Sequence, residues 1–321
     1  MKPHKQRLAL VEGAFFTSLT AIFTLINIYI PLFSFIAGLV GPMPSAVLIK
    51  KYDLKVTLLS LAAAVLIVVL FFGNPLAALL FTAQIGILGL FLGMLLKRNI
   101  SAGISIVFSA LVSVLLTFSG FLAAFFLTGI NPFDIAGDVR QTVNEMYKFY
   151  QQSGVIENLD QNQLQDLQEQ VVKNITLFLP GSLAIWSIIT GGLNYLLTRE
   201  LFKRLKFDVV NLKPFSHWHL PWYSTWAVIL GIGLLLIGDS FKITFLSTAA
   251  KNILYIAAFV FAVLGLSVTV FYIKKLPFSK FIKIIILFMS FIYWPFTLLL
   301  LTVLGILDPY INFRKVNLNK E

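Results

Sequence analysis

Nine long apolar stretches fix what this chain can fold into: residues 8–30, 32–49, 54–72, 75–96, 100–128, 175–198, 222–238, 251–273 and 281–307. Each is about 17–29 residues long, and roughly 20 apolar residues wound as a helix cross the hydrocarbon core of a bilayer. The fold class that follows is all-α: a polytopic transmembrane helical bundle of about nine spans. Composition agrees, since 58% hydrophobic and 12% charged residues with a mean hydropathy of +0.89 do not suit a soluble domain.

The 25 Lys and Arg residues fall mostly on every second connection, and such residues near helix ends are retained on the cytoplasmic side. With Met1 cytoplasmic, the inner segments collect Lys2, Lys5, Arg7, Lys50, Lys51, Lys55, Lys97, Arg98, Arg199, Lys203, Arg204, Lys206, Lys213, Lys274, Lys275, Lys280 and Lys283. The outer side receives Arg140, Lys148, Lys173, Lys242 and Lys251, and also Arg314, Lys315 and Lys320 if nine spans leave the tail outside. Eight spans, with 222–238 not crossing, is the alternative and returns the tail to the cytoplasm. Nine is preferred because 222–238 is strongly apolar, and the side of the tail stays open. The net charge of +11 raises nucleic acid as a partner, but the bases flank apolar runs, where anionic headgroups are nearer. The expected partner is the lipid bilayer, with no nucleic acid. Lys2, Lys5 and Arg7 imitate a signal peptide, yet the following run is too long and lacks a small-residue cleavage site.

Three blocks are expected: six spans with their loops over 1–205, a basic and aromatic cytoplasmic linker over 206–221, and a three-span unit with its tail over 222–321. The hydrophilic excursion 131–174 carries seven acids against three bases and belongs on the extracytoplasmic side. Ile135, Val139, Val143, Met146 and Tyr150 recur at helical spacing, which predicts an amphipathic helix. Gly154 breaks it, Asp160 with Gln163 resembles an N-cap box, and Leu164, Leu167, Val171 and Ile175 carry an apolar face into span six. A helical cap over the outer face is expected, with a solvated linker as the competing reading.

Polar side chains at membrane depth must find partners or line a wet cavity. Gln84 sits near the middle of span four, Asn27 near the outer end of span one and Asn194 near the inner end of span six. These three form the candidate substrate-binding set. The competing reading is interhelical hydrogen bonding, level with the first for Gln84 and favoured for Asn27 and Asn194. Glu12, one turn into span one, is expected to reach the headgroups or a base rather than to couple protons. Gly89 and Gly93 form a GxxxG in span four, and Gly13, Thr17 and Ala21 share a face of span one with Ala14 and Ser18 beside it; both are candidate contact stripes. Gly38, Gly41, Pro42 and Pro44 predict a break in span two, and Trp294 with Pro295 a kink in span nine.

The chain has no Cys, which excludes disulfides, thiolate metal sites and thiol nucleophiles. His217 and His219 in the linker invite a metal reading. No nearby acid completes a ligand set, and the Trp and Tyr around them read directly as an interfacial aromatic belt, so no metal is expected. HExxH, GxSxG, the GxxxxGK[ST] phosphate loop and GxGxxG are all missing. Neither enzymatic activity nor a cofactor is expected.

The stretch LALVEGAFFTSLTAIFTLINIYIPLFSFIAGLVGPMPSAVLIKKYDLK and the ending LGILDPYINFRK resemble the YybS-like, or DUF2232, family of uncharacterised bacterial membrane proteins, over essentially the whole chain. That family is in turn distantly similar to the substrate-binding S components of energy-coupling factor transporters. The resemblance implies a six-helix core and docking of a transmembrane coupling subunit through small residues of the first helix, which here correspond to Ala14, Ser18 and Ala21. Three extra spans and the acidic loop depart from that pattern. The expectation is a multi-pass protein of the bacterial plasma membrane. Its leading role is a non-enzymatic, transport-related subunit for an unidentified small ligand, and its alternative a scaffold for envelope or signalling partners.

Overall fold

The computed structural model describes residues 3–129, 131, 133–154, 161–277 and 279–314, with the side chains of 3–6 and 161 left aside. Among these residues the regular structure is entirely helical, and nine helical stretches are long and apolar enough to cross a membrane. The helices are α1 (Pro3–Tyr29), α2 (Pro31–Val40), α3 (Met43–Lys51), α4 (Leu54–Phe72), α5 (Pro75–Lys97), α6 (Ala102–Thr128), α7 (Ala136–Gln152), α8 (Gln161–Arg204), α9 (Trp226–Ser240), α10 (Thr244–Lys275), α11 (Lys280–Ile292) and α12 (Trp294–Ile311). The chain forms two compact units. Unit 1 takes Met1–Ala123 and Trp186–Lys213; unit 2 takes Ala124–Ile185 and Pro214–Lys320, so α6 and α8 contribute to both.

In unit 1 the breaks follow local chemistry. Span two divides into α2 and α3 at Gly41 and Pro42, because Pro42 has no N–H to continue the ladder. The turn from α4 to α5 combines Gly73 in the left-handed region (φ 73°), Asn74 accepting from the Ala77 N–H at 3.1 Å, and Pro75 at the first helical position. Two pairs of helices run parallel. In α1 and α4, Thr17 meets Ser60 and Tyr29 meets Phe71, at a near-constant offset. In α3 and α5, a β-carbon on Gly93 would stand 2.6 Å from the Ala46 carbonyl oxygen, and one on Gly89 would fall on the Pro42 carbonyl. The GxxxG of span four therefore serves packing inside the chain. The core gathers Ala46, Val47, Leu88, Leu92, Leu96, Ala102, Tyr195 and Phe202, and the first part of the linker joins it through Phe207, Val209 and Leu212.

In unit 2, α7 ends beside Gly154, which is left-handed (φ 66°), as the sequence predicts. Asp160 of the expected cap box lies outside the described residues. The apolar face from Leu164 does continue into span six: α8 is one helix of 44 residues, about 66 Å at 1.5 Å per residue, roughly twice the hydrocarbon thickness. Gln168 of α8 donates to Asn144 of α7 at 2.5 Å, and a polar cleft beside Arg140 is lined by Gln165, Gln168 and Glu169.

Residues 281–307, one span by sequence, are two helices that part at Tyr293. The contacts of α12 with α10 advance together along both chains: Thr302 reaches Ala258, Gly305 closes on Phe261, Arg314 binds Ser267, and Tyr272 binds Phe313. α10 and α12 are therefore parallel. α11 therefore returns the chain from the level of the Lys275 end of α10 toward the level of its beginning. At 13 residues, about 20 Å, α11 is too short to stand out as a full span by sequence alone.

Candidate functional site

The polar groups of the bundle sort into four constellations, two of which the sequence reading did not identify. At the C-terminal ends of α3 and α5, lysines cap each other's helices. Lys50 Nζ donates to Leu96 O at 3.0 Å and Asp208 O at 3.1 Å, while Lys97 Nζ donates to Ile49 O and Tyr52 O, both at 2.8 Å. Terminal carbonyls lack intrahelical donors and carry the negative end of the helix dipole, so cations are favoured there. Nearby, Lys51 Nζ binds both Glu12 oxygens at 2.5 and 2.7 Å, which is the base-paired reading of Glu12. Burial, together with the Glu12 carboxylate, pushes the Tyr52 phenol up to about 12.

The second constellation is the face shared by α1 and α4. Thr17 Oγ1 donates to Gly13 O at 2.8 Å and lies 2.7 Å from Ser60 Oγ, fastening the two helices. Above this clasp runs an apolar groove of about 450 Å³, lined by Ala9, Gly13, Ala14, Val56, Leu59 and Ala63 among others. Ala14 and Ser18 are exposed beside it, whereas Ala21 is buried with Ala64, Val68 and Ala78. The three small residues thus point in two directions.

The third lies along the antiparallel contact of α6 and α8 in unit 1. Ser101, Ser105, Ser109, Ser113 and Thr117 recur every fourth residue, a signal present in the sequence and not read there. On α8 the facing positions include Ser187, Gly191, Asn194 and Thr198. A β-carbon on Gly191 would stand 2.6 Å from Ser109 O, and Ser187 Oγ donates to Thr117 Oγ1 at 2.9 Å. Asn194 is buried and its Oδ1 has no partner. Gln84, by contrast, is exposed on α5, and Asn27 is half-buried on α1. The structure brings Asn194, alone of these three residues, into a buried polar seam.

The fourth belongs to unit 2. The Arg314 side chain is fully buried: Nη2 binds Asp308 Oδ2 at 2.5 Å and Trp218 O at 2.7 Å, and Nη1 binds Ser216 O at 2.9 Å and Ser267 Oγ at 2.7 Å. Asp308 and Arg314 come from the ending DPYINFR, and they hold the aromatic linker 215–218 against α10. His217 packs edge-on against Phe271 rather than joining a ligand set. Further along α8, the Asn252 amide enters the helix ladder beside Pro180: Oδ1 accepts from Gly181 N–H at 2.7 Å and Nδ2 donates to Leu177 O at 2.8 Å. Those are the two groups that would otherwise bond each other. No cluster of metal-ligating side chains exists among the described residues.

A relative from Bacillus subtilis (strain 168), "Uncharacterized protein YybS", is 29% identical over 311 residues, covering 97% of this chain and 98% of its own. No solved structure matches. The family described as "Predicted membrane protein (DUF2232)" matches residues 18–309, nearly the full set of helices described above, and the chain belongs to that family.

Proposed function

We propose that this protein is a non-enzymatic, transport-related subunit of the bacterial plasma membrane that works by docking a second membrane protein along α1 and α4. The observation that carries this reading is the apolar groove over the Thr17–Ser60 clasp. Small residues let a helix approach closely, and the hydroxyls beneath are already satisfied, so the surface offered is apolar and shaped for a helix. Ala14 and Ser18 border it, while Ala21 belongs to the chain's own packing. The transported or sensed ligand would meet Gln84, Asn27 or Asn194. A scaffold that binds partners without a ligand uses the same groove.

The orientation that accompanies this reading has a cytoplasmic N-terminus, an extracytoplasmic 131–174 loop and a cytoplasmic tail. Parallel α10 and α12 support the last of these, because the Arg314 contacts tie the tail to the linker. Arg140, Lys148, Lys173, Lys242 and Lys251 then stand outside and the remaining 20 Lys and Arg inside, a sharper asymmetry than a tail outside would give.

Native mass spectrometry of the protein purified from its own membrane tests the reading. A copurifying membrane subunit that is lost on Ala14→Leu, with folding intact, is the expected result. A partner retained in that variant would remove the groove from the account. Labelling of a single cysteine at position 321 from the cytoplasmic side checks the orientation.

A further inference from the structure

The inner end of the α6–α8 seam contains more unpaired polar atoms than its size accounts for. Ser101 Oγ, Asn194 Oδ1, Tyr195 OH and Thr198 Oγ1 are all buried without a hydrogen-bond partner. Tyr195 and Thr198 have no exposed surface, and Asn194 is 2% exposed. The helix register places the four in a row along the seam. Thr117 opposite Ser187 and Ser109 opposite Gly191 set an antiparallel alignment, which brings Ser105 level with Tyr195 and Thr198, and Ser101 one turn further toward the inner end. Ser105 interacts with the Tyr195 hydroxyl short of full hydrogen-bond geometry, and the Arg199 charge acts on it as well. Arg199 Nε is committed to Val210 O at 2.9 Å. Ser101 immediately precedes α6 and leaves its hydroxyl free instead of capping the helix.

A buried hydroxyl or amide in a bilayer costs free energy unless bonded, and four within about two turns are not explained as helix adhesive, because adhesive groups bond each other. A water needs two to four polar partners to be held in an interior, and this place offers four. From this we infer that the inner end of the α6–α8 seam is a binding site for a small neutral hydrogen-bonding guest, either ordered water or a small hydroxylated molecule. Guests here donate to Asn194 Oδ1 and either donate to or accept from the hydroxyls of Tyr195, Thr198 and Ser101, which follow one another along the seam. No carboxylate is among these four groups and the Arg199 charge acts on Tyr195, so a neutral guest is favoured over a cation. This deepens the ligand-binding half of the proposed function by naming the class of ligand and its contacts; the docking half is independent of it.

Radiolytic hydroxyl-radical labelling of the full-length protein in lipid nanodiscs tests the site, because bound water labels the side chain it touches even where bulk solvent cannot reach. Tyr195 is expected to be labelled in the wild type, with exposed Tyr223 as the positive control. Thr198→Val, which keeps shape and removes one partner, should lower occupancy roughly tenfold and the labelling with it. Unlabelled Tyr195 beside labelled Tyr223, or labelling unchanged in Thr198→Val, would overturn the inference. So would a rise in melting temperature for Asn194→Leu combined with Thr198→Val, the behaviour of a dry site relieved of orphaned groups. Native mass spectrometry separates the sources: a small neutral adduct lost in Thr198→Val identifies an organic guest, and labelled Tyr195 without an adduct identifies water. If a partner copurifies while Tyr195 stays unlabelled, the site fails and docking stands; the reverse result fails docking alone.

Discussion

The two units solve the same problem by different means. In unit 1, helices are joined by glycine contacts and neutral hydroxyls, such as Gly89 and Gly93 against α3 and Thr17 against Ser60, and its lysines stay at the helix ends, where they cap carbonyls. Unit 2 also has its glycine crossing, Gly265 and Gly305 between α10 and α12, but adds a fully buried Arg314–Asp308 pair and an Asn252 amide set into a helix ladder. Lipid provides no hydrophobic drive between helices, so adhesion comes from close packing or from polar bonds whose loss leaves something unsatisfied. Unit 1 relies mainly on the first and tolerates unpaired hydroxyls at one end. Unit 2 relies on the second, and its polar groups lock the linker.

The largest effect expected is in unit 2. Asp308→Ala leaves the Arg314 guanidinium buried without its counter-ion, which costs about 3–5 kcal/mol. Thermal unfolding in nanodiscs measures this, and hydrogen exchange should show residues 215–218 losing protection first. The double substitution Asp308→Leu with Arg314→Met should cost clearly less than the single one; equal costs would mean that the pair is not the lock of this unit.

Glycine contacts should matter in both units. Gly93→Leu and Gly265→Leu each drive a side chain into backbone of the neighbouring helix and should lose about 1–3 kcal/mol or more. Gly103→Leu, where no neighbour lies within 4 Å, should stay within about 0.5 kcal/mol. Similar losses for Gly93 and Gly103 would dissolve the packing half of the comparison.

Lys97→Met removes two charge-assisted bonds at a partly exposed site and should cost about 1–2 kcal/mol. Thr17→Val, which breaks a neutral clasp, should cost about 1 kcal/mol. If these two changes cost as much as Asp308→Ala, the units do not differ in kind. The smallest effect is a pH dependence in unit 1. The Tyr52 phenol is raised to about 12 from its ordinary 10, so its contribution to stability is full below pH 10 and is lost as pH rises toward 12. Comparing melting temperatures of wild type and Tyr52→Phe across that window checks the sign.

The helices, the loop helix, the break in span two and the continuation of 164–175 into span six were all legible, because each depends on local periodicity or on Gly and Pro. The candidate site was legible only in part. Asn194 stood out as a polar residue at depth, but the serines at every fourth position of α6 passed as ordinary membrane residues until α8 lay against them. Asp308 and Arg314 read as a family signature and a tail charge, and Asn252 did not stand out at all. Asp308 pairs with Arg314 six residues on, but Arg314 and Asn252 find their other partners 47, 71, 75 and 98 residues away, and no local pattern reports such partners.

The sequence by itself determined that this chain lives in a bilayer, in which solvent its helices are stable, and which ends of its first helices carry the charge. Those properties follow from transfer free energies summed over each stretch. Only the tertiary structure decided that the kink signalled at Trp294 and Pro295 separates two helices with α12 parallel to α10, that Gln84 is exposed while Asn194 is buried, and that Arg314 closes the linker. Each of these turns on which helix faces which, and in a membrane that is settled by close packing and by the pairing of a few polar groups far apart in the chain.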